Sequence, residues 1–157
     1  MILSSRCMDL LAELEGFRDK PYDDQTGAEI SHWVKGATIG YGHLIGQDEW
    51  ERYKSGITKL QGEKLFLDDL WHFVPGVNNR ITANVSQNQF DALVILAFNI
   101  GLNNFESSSV LRLVNNPSVN TNYQSLEAAW KAWNKSQGRV MNGLVNRRNV
   151  EWDLYCS

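Results

Sequence analysis

The segment from Phe90 to Ile100 restricts the fold more than any other part of this sequence. It is apolar on nearly every face of a helix, and a helix of that kind belongs at the centre of a core. Ser86 and Gln89 form a capping-box pattern before the segment, and Gly101 follows it as a helix stop. The sequence therefore predicts a helical lobe built around a buried helix at about residues 87–100.

The rest of the chain predicts one small sheet and further helices. Ser4 or Ser5 can cap a first helix that ends at Glu15. Residues 17–43 alternate Gly, Pro, Asp and Thr with apolar side chains, which is typical of short strands and turns, and this is the only stretch with a strand-like pattern. Helical patterns recur at about 47–54, 61–73, 107–115, 123–135 and 143–155. We therefore expect an α+β fold, with a small sheet lobe at about 16–58, a larger helical lobe at about 60–157 plus the first helix, and a ligand-binding cleft between them.

Length and composition indicate a single soluble domain. The chain has 157 residues, of which 43% are hydrophobic and 21% charged, an ordinary balance for a globular protein. The pI of about 5.6 argues against a nucleic-acid partner. No signal-peptide pattern and no apolar run of membrane-spanning length is present. We expect a monomer that is made in the cytoplasm and does not insert into membranes.

Metal binding is not indicated. Cys7 and Cys156 lie near opposite ends of the chain and do not form a zinc motif. Two unpaired thiols are favoured over a disulfide. The three histidines lack ligand spacing, so we expect no metal and no cofactor. The basic side chains between residues 128 and 150 are consistent either with a solvated helix face or with a site for an anionic polymer.

Two carboxylates near the predicted junction of the lobes are candidates for glycoside chemistry. Glu15 ends the first helix, whereas Asp24 lies in a polar turn. Cleavage of a glycosidic bond needs one protonated carboxyl and one ionised carboxylate, and therefore two different environments. Spacing alone does not separate this pair from ordinary surface carboxylates.

The order of motifs along the chain resembles the phage lysozymes of glycoside hydrolase family 24. The resemblance covers nearly the whole length. The motifs that carry it are Glu15-Gly-Phe-Arg18, Pro21-Tyr-Asp-Asp24, Thr38-Ile-Gly-Tyr-Gly-His43-Leu44, Glu63-Lys-Leu-Phe-Leu-Asp-Asp69, Asn88-Gln-Phe-Asp-Ala-Leu93, Ala97-Phe-Asn-Ile-Gly101, and Gly143-Leu-Val-Asn-Arg-Arg148 before Glu151.

The resemblance implies a muramidase with Glu15, Asp24 and Thr38 as its catalytic residues. Members of this family hydrolyse the β-1,4 bond between N-acetylmuramic acid and N-acetylglucosamine in peptidoglycan. Glu15 would act as general acid, while Asp24 and Thr38 would hold the attacking water. Because no signal peptide is seen, a holin would be needed to release such a protein to the cell wall in the periplasm.

Further roles are implied by the same resemblance. His43 and Asp69 would form a buried ion pair, which would raise the pKa of His43. Arg147, more than Arg148, would reach toward Glu15, and the other arginine would face solvent or bind an anion. The expected substrate contacts are Leu44, Phe98, Asn99, Ser108 and Arg147.

The segment from Gln25 to Ala37 departs from the family pattern, because it is longer than the usual turn. We expect an extended hairpin at the rim of the cleft, in which Trp33 packs rather than stacks on sugar. Because Asp23 and Asp24 are adjacent, either could match the catalytic Asp of the family. The Tyr-x-Asp spacing from Tyr22 favours Asp24.

Three other interpretations remain open at this point. A lytic transglycosylase would cleave the same bond without water, although Asp24 with Thr38 favours hydrolysis. An inactive glycan-binding or phage structural module would keep the fold but not need all three catalytic residues. An antibacterial effector or tail-associated lysozyme would keep the activity and usually bring additional domains.

Overall fold

The computed structural model describes residues 1–157 and contains eight α-helices, one short 3-10 helix and two small antiparallel sheets. The helices are α1 (Ser5–Glu15), α2 (Trp50–Tyr53), α3 (Lys59–Asn78), α4 (Gln87–Ile100), α5 (Leu102–Ser107), α6 (Ser109–Asn115), α7 (Leu126–Lys131) and α8 (Asn142–Cys156), and the 3-10 helix is Gln47–Glu49. The strands are β1 (Arg18–Asp23), β2 (Ala37–Gly40), β3 (His43–Leu44), β4 (Lys135–Ser136) and β5 (Arg139–Val140). The predicted α+β class is confirmed.

The chain divides into two compact units. The sheet unit comprises Asp9–His72, and the helical unit comprises Met1–Met8 together with Phe73–Ser157. The predicted bounds of the two lobes, and the expectation that the whole chain acts as one catalytic domain, stay predictions.

The sheet unit is built on three antiparallel strands in the order β1-β2-β3. Tyr22 pairs with Thr38 across β1 and β2, and Ile39 pairs with His43 across β2 and β3. Every residue of β2 is buried. The core of this unit is the cluster of Ala37, Ile39, Ile45 and Tyr53, so the central strand supplies two of the four core residues as well as the catalytic candidate Thr38.

The segment 25–37 is not the extended hairpin that the sequence predicted. Before Ala37, which belongs to β2, its one strand-type pairing is an isolated bridge between Tyr22 and Glu29. Trp33 and Val34 pack against the core cluster of the sheet unit, and the Trp33 indole Nε1 donates to the Ile45 carbonyl at 2.9 Å. Trp33 therefore packs, as expected, but it does so as part of a core rather than as a rim residue.

The helical unit is centred on α4, whose residues Phe90–Ala97 are all buried. The predicted capping box is present: the Ser86 hydroxyl accepts from the Gln89 N–H at 3.2 Å, and the Gln89 side chain accepts from the Ser86 N–H at 2.9 Å. Gly101, with φ of +86°, ends the helix. This central helix is therefore confirmed, including both of its ends.

Several elements differ from the sequence prediction. The hairpin β4–β5 is a second sheet, so the expectation of a single strand-like stretch was wrong. Helix α5 was not predicted, and α3 continues past the predicted end, with Pro75 inside it. Cys7 and Cys156 are both free thiols, the first buried and the second exposed. None of the helices combines the length and the apolar character needed to cross a membrane.

Candidate active site

Glu15 occupies the last residue of α1, where the helix stops at Gly16 with φ of +68°. Its half-buried carboxyl lies close to Gly42 of the Thr-Ile-Gly-Tyr-Gly segment. A Cβ added at Gly42 would stand 3.2 Å from Glu15 Oε2, and the φ of Gly42 is +85°. The second glycine of that segment thus lets the backbone approach the carboxyl.

Asp24 and Thr38 are joined through one backbone carbonyl. The Asp24 N–H donates to the Gly36 carbonyl at 3.0 Å, and the Thr38 hydroxyl donates to the same oxygen at 2.9 Å. Thr38 is 5% exposed, whereas Asp24 is exposed. The Asp24 carboxylate accepts a hydrogen bond from the Gln25 side-chain amide at 3.1 Å. Sequence reasoning did not identify the contributions of Gly36 and Gln25, because neither residue type signals such a role.

Asp23 and Asp24 are distinguished by their hydrogen bonds. The Asp23 carboxylate accepts from the Gln25 N–H at 2.9 Å and from the Thr26 hydroxyl at 3.3 Å, which closes the turn after β1. Such Asx-type bonds are the usual structural task of an Asp in a turn. The Asp23 carboxylate therefore stabilises the turn, whereas the Asp24 carboxylate makes no such turn contact. This difference favours Asp24 as the candidate functional carboxylate.

Tyr22 lies within electrostatic range of both candidate carboxyl groups, those of Glu15 and Asp24. Burial raises its pKa, and the charges of Glu15 and Asp24 raise it further, while the charge of Arg18 lowers it. The Arg18 guanidinium sits 4.3 Å from the centre of the Tyr22 ring, and it also donates to the Gly27 carbonyl at 3.2 Å. Strand β1 thus places an aromatic ring and a cation beside the acidic groups.

The structure brings His43 and Asp69 together, with 2.8 Å between His43 Nδ1 and Asp69 Oδ2. Burial lowers the pKa of His43, but the hydrogen bond and charge of Asp69 and the charge of Glu49 outweigh it, so the net shift is upward. Glu49 Oε2 lies 3.6 Å from His43 Nε2. The side chains of His43 and Asp69 are 14% and 31% exposed, so the pair is only partly buried and the expectation of a buried pair was wrong in that respect.

In the helical unit, a buried ionic network surrounds Glu151. Its carboxylate accepts from the Trp130 indole at 2.9 Å and from Arg147 Nε at 3.2 Å, and it forms an ion pair with Arg148 Nη2 at 3.1 Å. Arg148 Nη2 also donates to Asn99 Oδ1 at 2.6 Å. Arg148 is fully buried, so the expectation that it faces solvent or binds an anion was wrong. The contact of Arg147 with Glu15 stays a prediction.

The remaining expected substrate contacts differ in exposure. Leu44 is 62% exposed, and Asn99 is also exposed. Phe98 is half-buried, with its ring edge-on to Phe73 at 5.2 Å between centroids. Ser108 is buried and caps α6, because its hydroxyl donates to the Phe105 carbonyl at 2.7 Å and accepts from the Leu111 N–H at 3.0 Å. The capping role of Ser108 was missed, and all four substrate contacts stay predictions.

Comparison with known proteins identifies the family. The model of the family described as phage lysozyme matches residues 12–151. The chain belongs to the phage lysozyme family. It is 34% identical to the endolysin of Salmonella phage P22, over 100% of this chain and 99% of the relative.

One further relative and one solved structure show how much of this chain is similar to known proteins. The endolysin of Bacillus phage PZA is 41% identical over the whole of this chain, which spans just over half, 56%, of that relative. Among solved structures, the muramidase domain of SpmX from Asticaccaulis excentricus is 30% identical, covers 99% of this chain and 97% of that one, and has a TM-score of 0.77. Both units of this phage lysozyme family member therefore fall within the matched length.

Proposed function

We propose that this chain is a muramidase of the endolysin type, which hydrolyses the β-1,4 bond between N-acetylmuramic acid and N-acetylglucosamine in peptidoglycan and so lyses a bacterial host. The observation that carries the proposal is that the Gly36 carbonyl accepts hydrogen bonds from both the Asp24 N–H and the Thr38 hydroxyl. Glu15 lies in the same unit. Membership of the phage lysozyme family supports it, as do relatives described as endolysins and a structural neighbour described as a muramidase domain.

Glu15 is the proposed general acid. A glycosidic bond breaks when the leaving oxygen receives a proton as the bond lengthens and positive charge develops on the sugar. The C-terminal end of α1 holds the Glu15 carboxyl next to a backbone without a side chain at Gly42, which leaves room for a sugar oxygen to approach. No metal or cofactor is required for this chemistry.

Asp24 and Thr38 are the proposed water-holding pair. The Thr38 hydroxyl donates its one hydrogen bond to the Gly36 carbonyl, so its oxygen can only accept a hydrogen bond from water. A water that donates one hydrogen to Asp24 and the other to Thr38 keeps a lone pair free for attack at the anomeric carbon. Removal of the water's proton by Asp24 then completes hydrolysis, a step that a lytic transglycosylase would not need.

The proposed setting of the activity follows from the substrate. Peptidoglycan glycan strands are the proposed partner, and the protein is proposed to act on the cell wall as a monomer after a holin releases it from the host cytoplasm. A holin gene beside the gene for this chain would support this setting. A neighbouring gene for a secretion apparatus would favour the effector alternative instead.

Glu15→Gln tests the function. We expect it to reduce the lysis rate of chloroform-treated Gram-negative cells by at least about a hundredfold, because general acid catalysis contributes about 10²–10⁴. The thermal midpoint should stay equal or rise, since active-site charges are often held at a cost in stability. Glu13→Gln, which changes an exposed carboxyl of the same helix, is the matched control and should lyse at the wild-type rate.

Mass spectrometry of the released fragments distinguishes the reaction types. Hydrolysis yields reducing N-acetylmuramic acid ends, whereas a transglycosylase yields anhydro ends. Retention of more than a few per cent of activity by Glu15→Gln would rule out Glu15 as the acid.

A further inference from the structure

We propose that Gly36 is a positioning residue for the water-holding pair, and that the segment 25–37 is the frame that fixes Gly36 in place. This inference rests on the proposed function, because it assigns a role within the same reaction. It concerns a residue that touches no substrate in the proposed mechanism and acts only through Asp24 and Thr38.

The Gly36 carbonyl sets the direction of two groups at once. It accepts from the Asp24 N–H at 3.0 Å and from the Thr38 hydroxyl at 2.9 Å. Since a hydroxyl has a single proton, the second bond commits Thr38 to accepting a hydrogen bond from water rather than donating one. A displacement of this carbonyl would therefore change both the position of Asp24 and the polarity of Thr38.

The missing side chain of Gly36 is as important as its carbonyl. A Cβ built on Gly36 would overlap the Asp24 carboxylate, with Oδ1 as its nearest neighbour. The φ of Gly36 is +101°, a conformation that L side chains rarely adopt. The Asp24 carboxylate thus occupies the space that any other residue at position 36 would need.

The frame around Gly36 is anchored on both sides. Before it, Trp33 packs against the core and its indole donates to the Ile45 carbonyl at 2.9 Å. After it, Ala37 donates to the Val34 carbonyl at 3.0 Å and accepts from the Ile45 N–H at 2.7 Å. Gly36 therefore lies between a partly buried tryptophan and the central strand, which keeps its carbonyl in one place.

The alternative is that Gly36 serves only as a turn residue with positive φ. Gly27 provides the matched control, because it lies in the same segment with φ of +71°, and a Cβ added there would meet nothing within 4 Å. An alanine at position 27 carries backbone strain alone. An alanine at position 36 carries backbone strain and a collision with the Asp24 carboxylate.

Kinetics on purified peptidoglycan compares the two substitutions. We expect Gly36→Ala to lower kcat by at least about tenfold with KM within about twofold of wild type, because small misplacements of reacting groups can cost up to about a hundredfold. Gly27→Ala should keep kcat within about threefold of wild type. Equal losses in the two variants, or a loss confined to KM, would overturn the inference.

A stability cycle with Asp24→Ala tests the same contact without using activity. In urea unfolding, the drop in midpoint caused by Gly36→Ala should shrink when position 24 has lost its carboxylate, while the drop caused by Gly27→Ala should not. If Gly36→Ala does not fold, folding of the Asp24→Ala/Gly36→Ala double variant supports the contact. Equal drops in both backgrounds, or failure of both variants to fold, overturns it.

The two experiments also separate this inference from the proposed function. Wild-type protein without activity on peptidoglycan would count against the muramidase assignment. The stability cycle would still decide whether Gly36 acts through Asp24.

Discussion

Asp24 in the sheet unit and Glu151 in the helical unit are carboxylates with opposite surroundings. Asp24 is exposed and accepts one side-chain hydrogen bond from a neutral donor, the Gln25 amide. Glu151 is fully buried, accepts hydrogen bonds from one indole and one guanidinium group, and forms an ion pair with a second guanidinium. The first is positioned mainly through its own backbone, whereas the second is positioned through its charged head group.

This difference fits the proposed division of roles, in which Asp24 does chemistry and Glu151 holds the fold. A group that must bind a water and take its proton has to keep acceptor capacity for the substrate complex. A buried carboxylate has to use that capacity inside the protein, since an unpaired buried charge is strongly destabilising. Exposure and the type of donor therefore separate the two roles better than the residue type does.

Glu151→Gln should give the largest change in stability. It leaves Arg147 and Arg148 buried with their shared counter-charge removed, and the loss of one partner from a buried pair typically costs about 3–5 kcal/mol. Urea unfolding measures the loss, and activity per folded molecule should stay near wild type. Asp153→Asn, on an exposed position of the same helix, is the control. A loss for Glu151→Gln no larger than that of Asp153→Asn would contradict the structural role.

Asp24→Asn should show the reverse pattern. We expect at least about a hundredfold loss of lytic rate, since base catalysis contributes on that scale. The free energy of unfolding should change by no more than about 0.5 kcal/mol, as is usual for exposed positions. Asp23→Asn should keep most activity because Asp23 closes the turn. If Asp23→Asn were the more damaging change, the register of the Tyr-Asp-Asp run would be wrong.

Local signals explain which elements the sequence could predict. Ser86, Gln89 and Gly101 act on the backbone within one helical turn, so both ends of α4 could be predicted without any knowledge of the rest of the fold. Helix α5 was not predicted because Gly101 is both the C-cap of α4 and the N-cap of α5. A glycine at this position is recognised from sequence as the end of a helix and not as the start of another. The hairpin β4–β5 has two residues per strand, too few to show alternation.

Burial of charge explains most of what could not be predicted at the candidate site. Arg148 is a charged residue on a helix, and such residues usually face solvent. Only the three-dimensional arrangement of Glu151 and Asn99 around it makes full burial possible. In the same way, the order of motifs could supply Glu15, Asp24 and Thr38 through a resemblance, but the role of Gly36 depends on where the segment 25–37 packs.

Trp33→Phe should show that this segment contributes to the core of the sheet unit. The phenyl ring keeps much of the packing but leaves the Ile45 carbonyl without its 2.9 Å donor, and a net loss of about 1 kcal/mol is typical of such a bond. Urea unfolding measures it. Trp71→Phe, at a position that is 79% exposed, is the control and should leave stability unchanged. An equal effect of both substitutions would mean that Trp33 does not anchor the segment.

Asp69→Asn should give an effect no larger than that of Trp33→Phe, and one that depends on pH. The folded pKa of His43 is raised above its usual value of about 6.5. The stability that His43 gains from its partners is therefore fully present below that unfolded pKa, and is lost as pH rises through the raised folded pKa. Because the pair is only partly buried, we expect a loss of about 1 kcal/mol at pH 5.5, between the values typical of exposed and buried pairs.

The loss caused by Asp69→Asn should shrink as pH rises through the raised folded pKa of His43, because the neutral ring no longer pairs with the carboxylate. Asp68→Asn is the control, since Asp68 is the exposed neighbour on the same helix. NMR titration should show a lower pKa for His43 in Asp69→Asn and no change in Asp68→Asn. Glu49, 3.6 Å from His43 Nε2, remains in both variants and should keep part of the upward shift. A His43 titration that ignores Asp69→Asn would assign the raised pKa to Glu49, and the pair would then make no electrostatic contribution to the sheet unit.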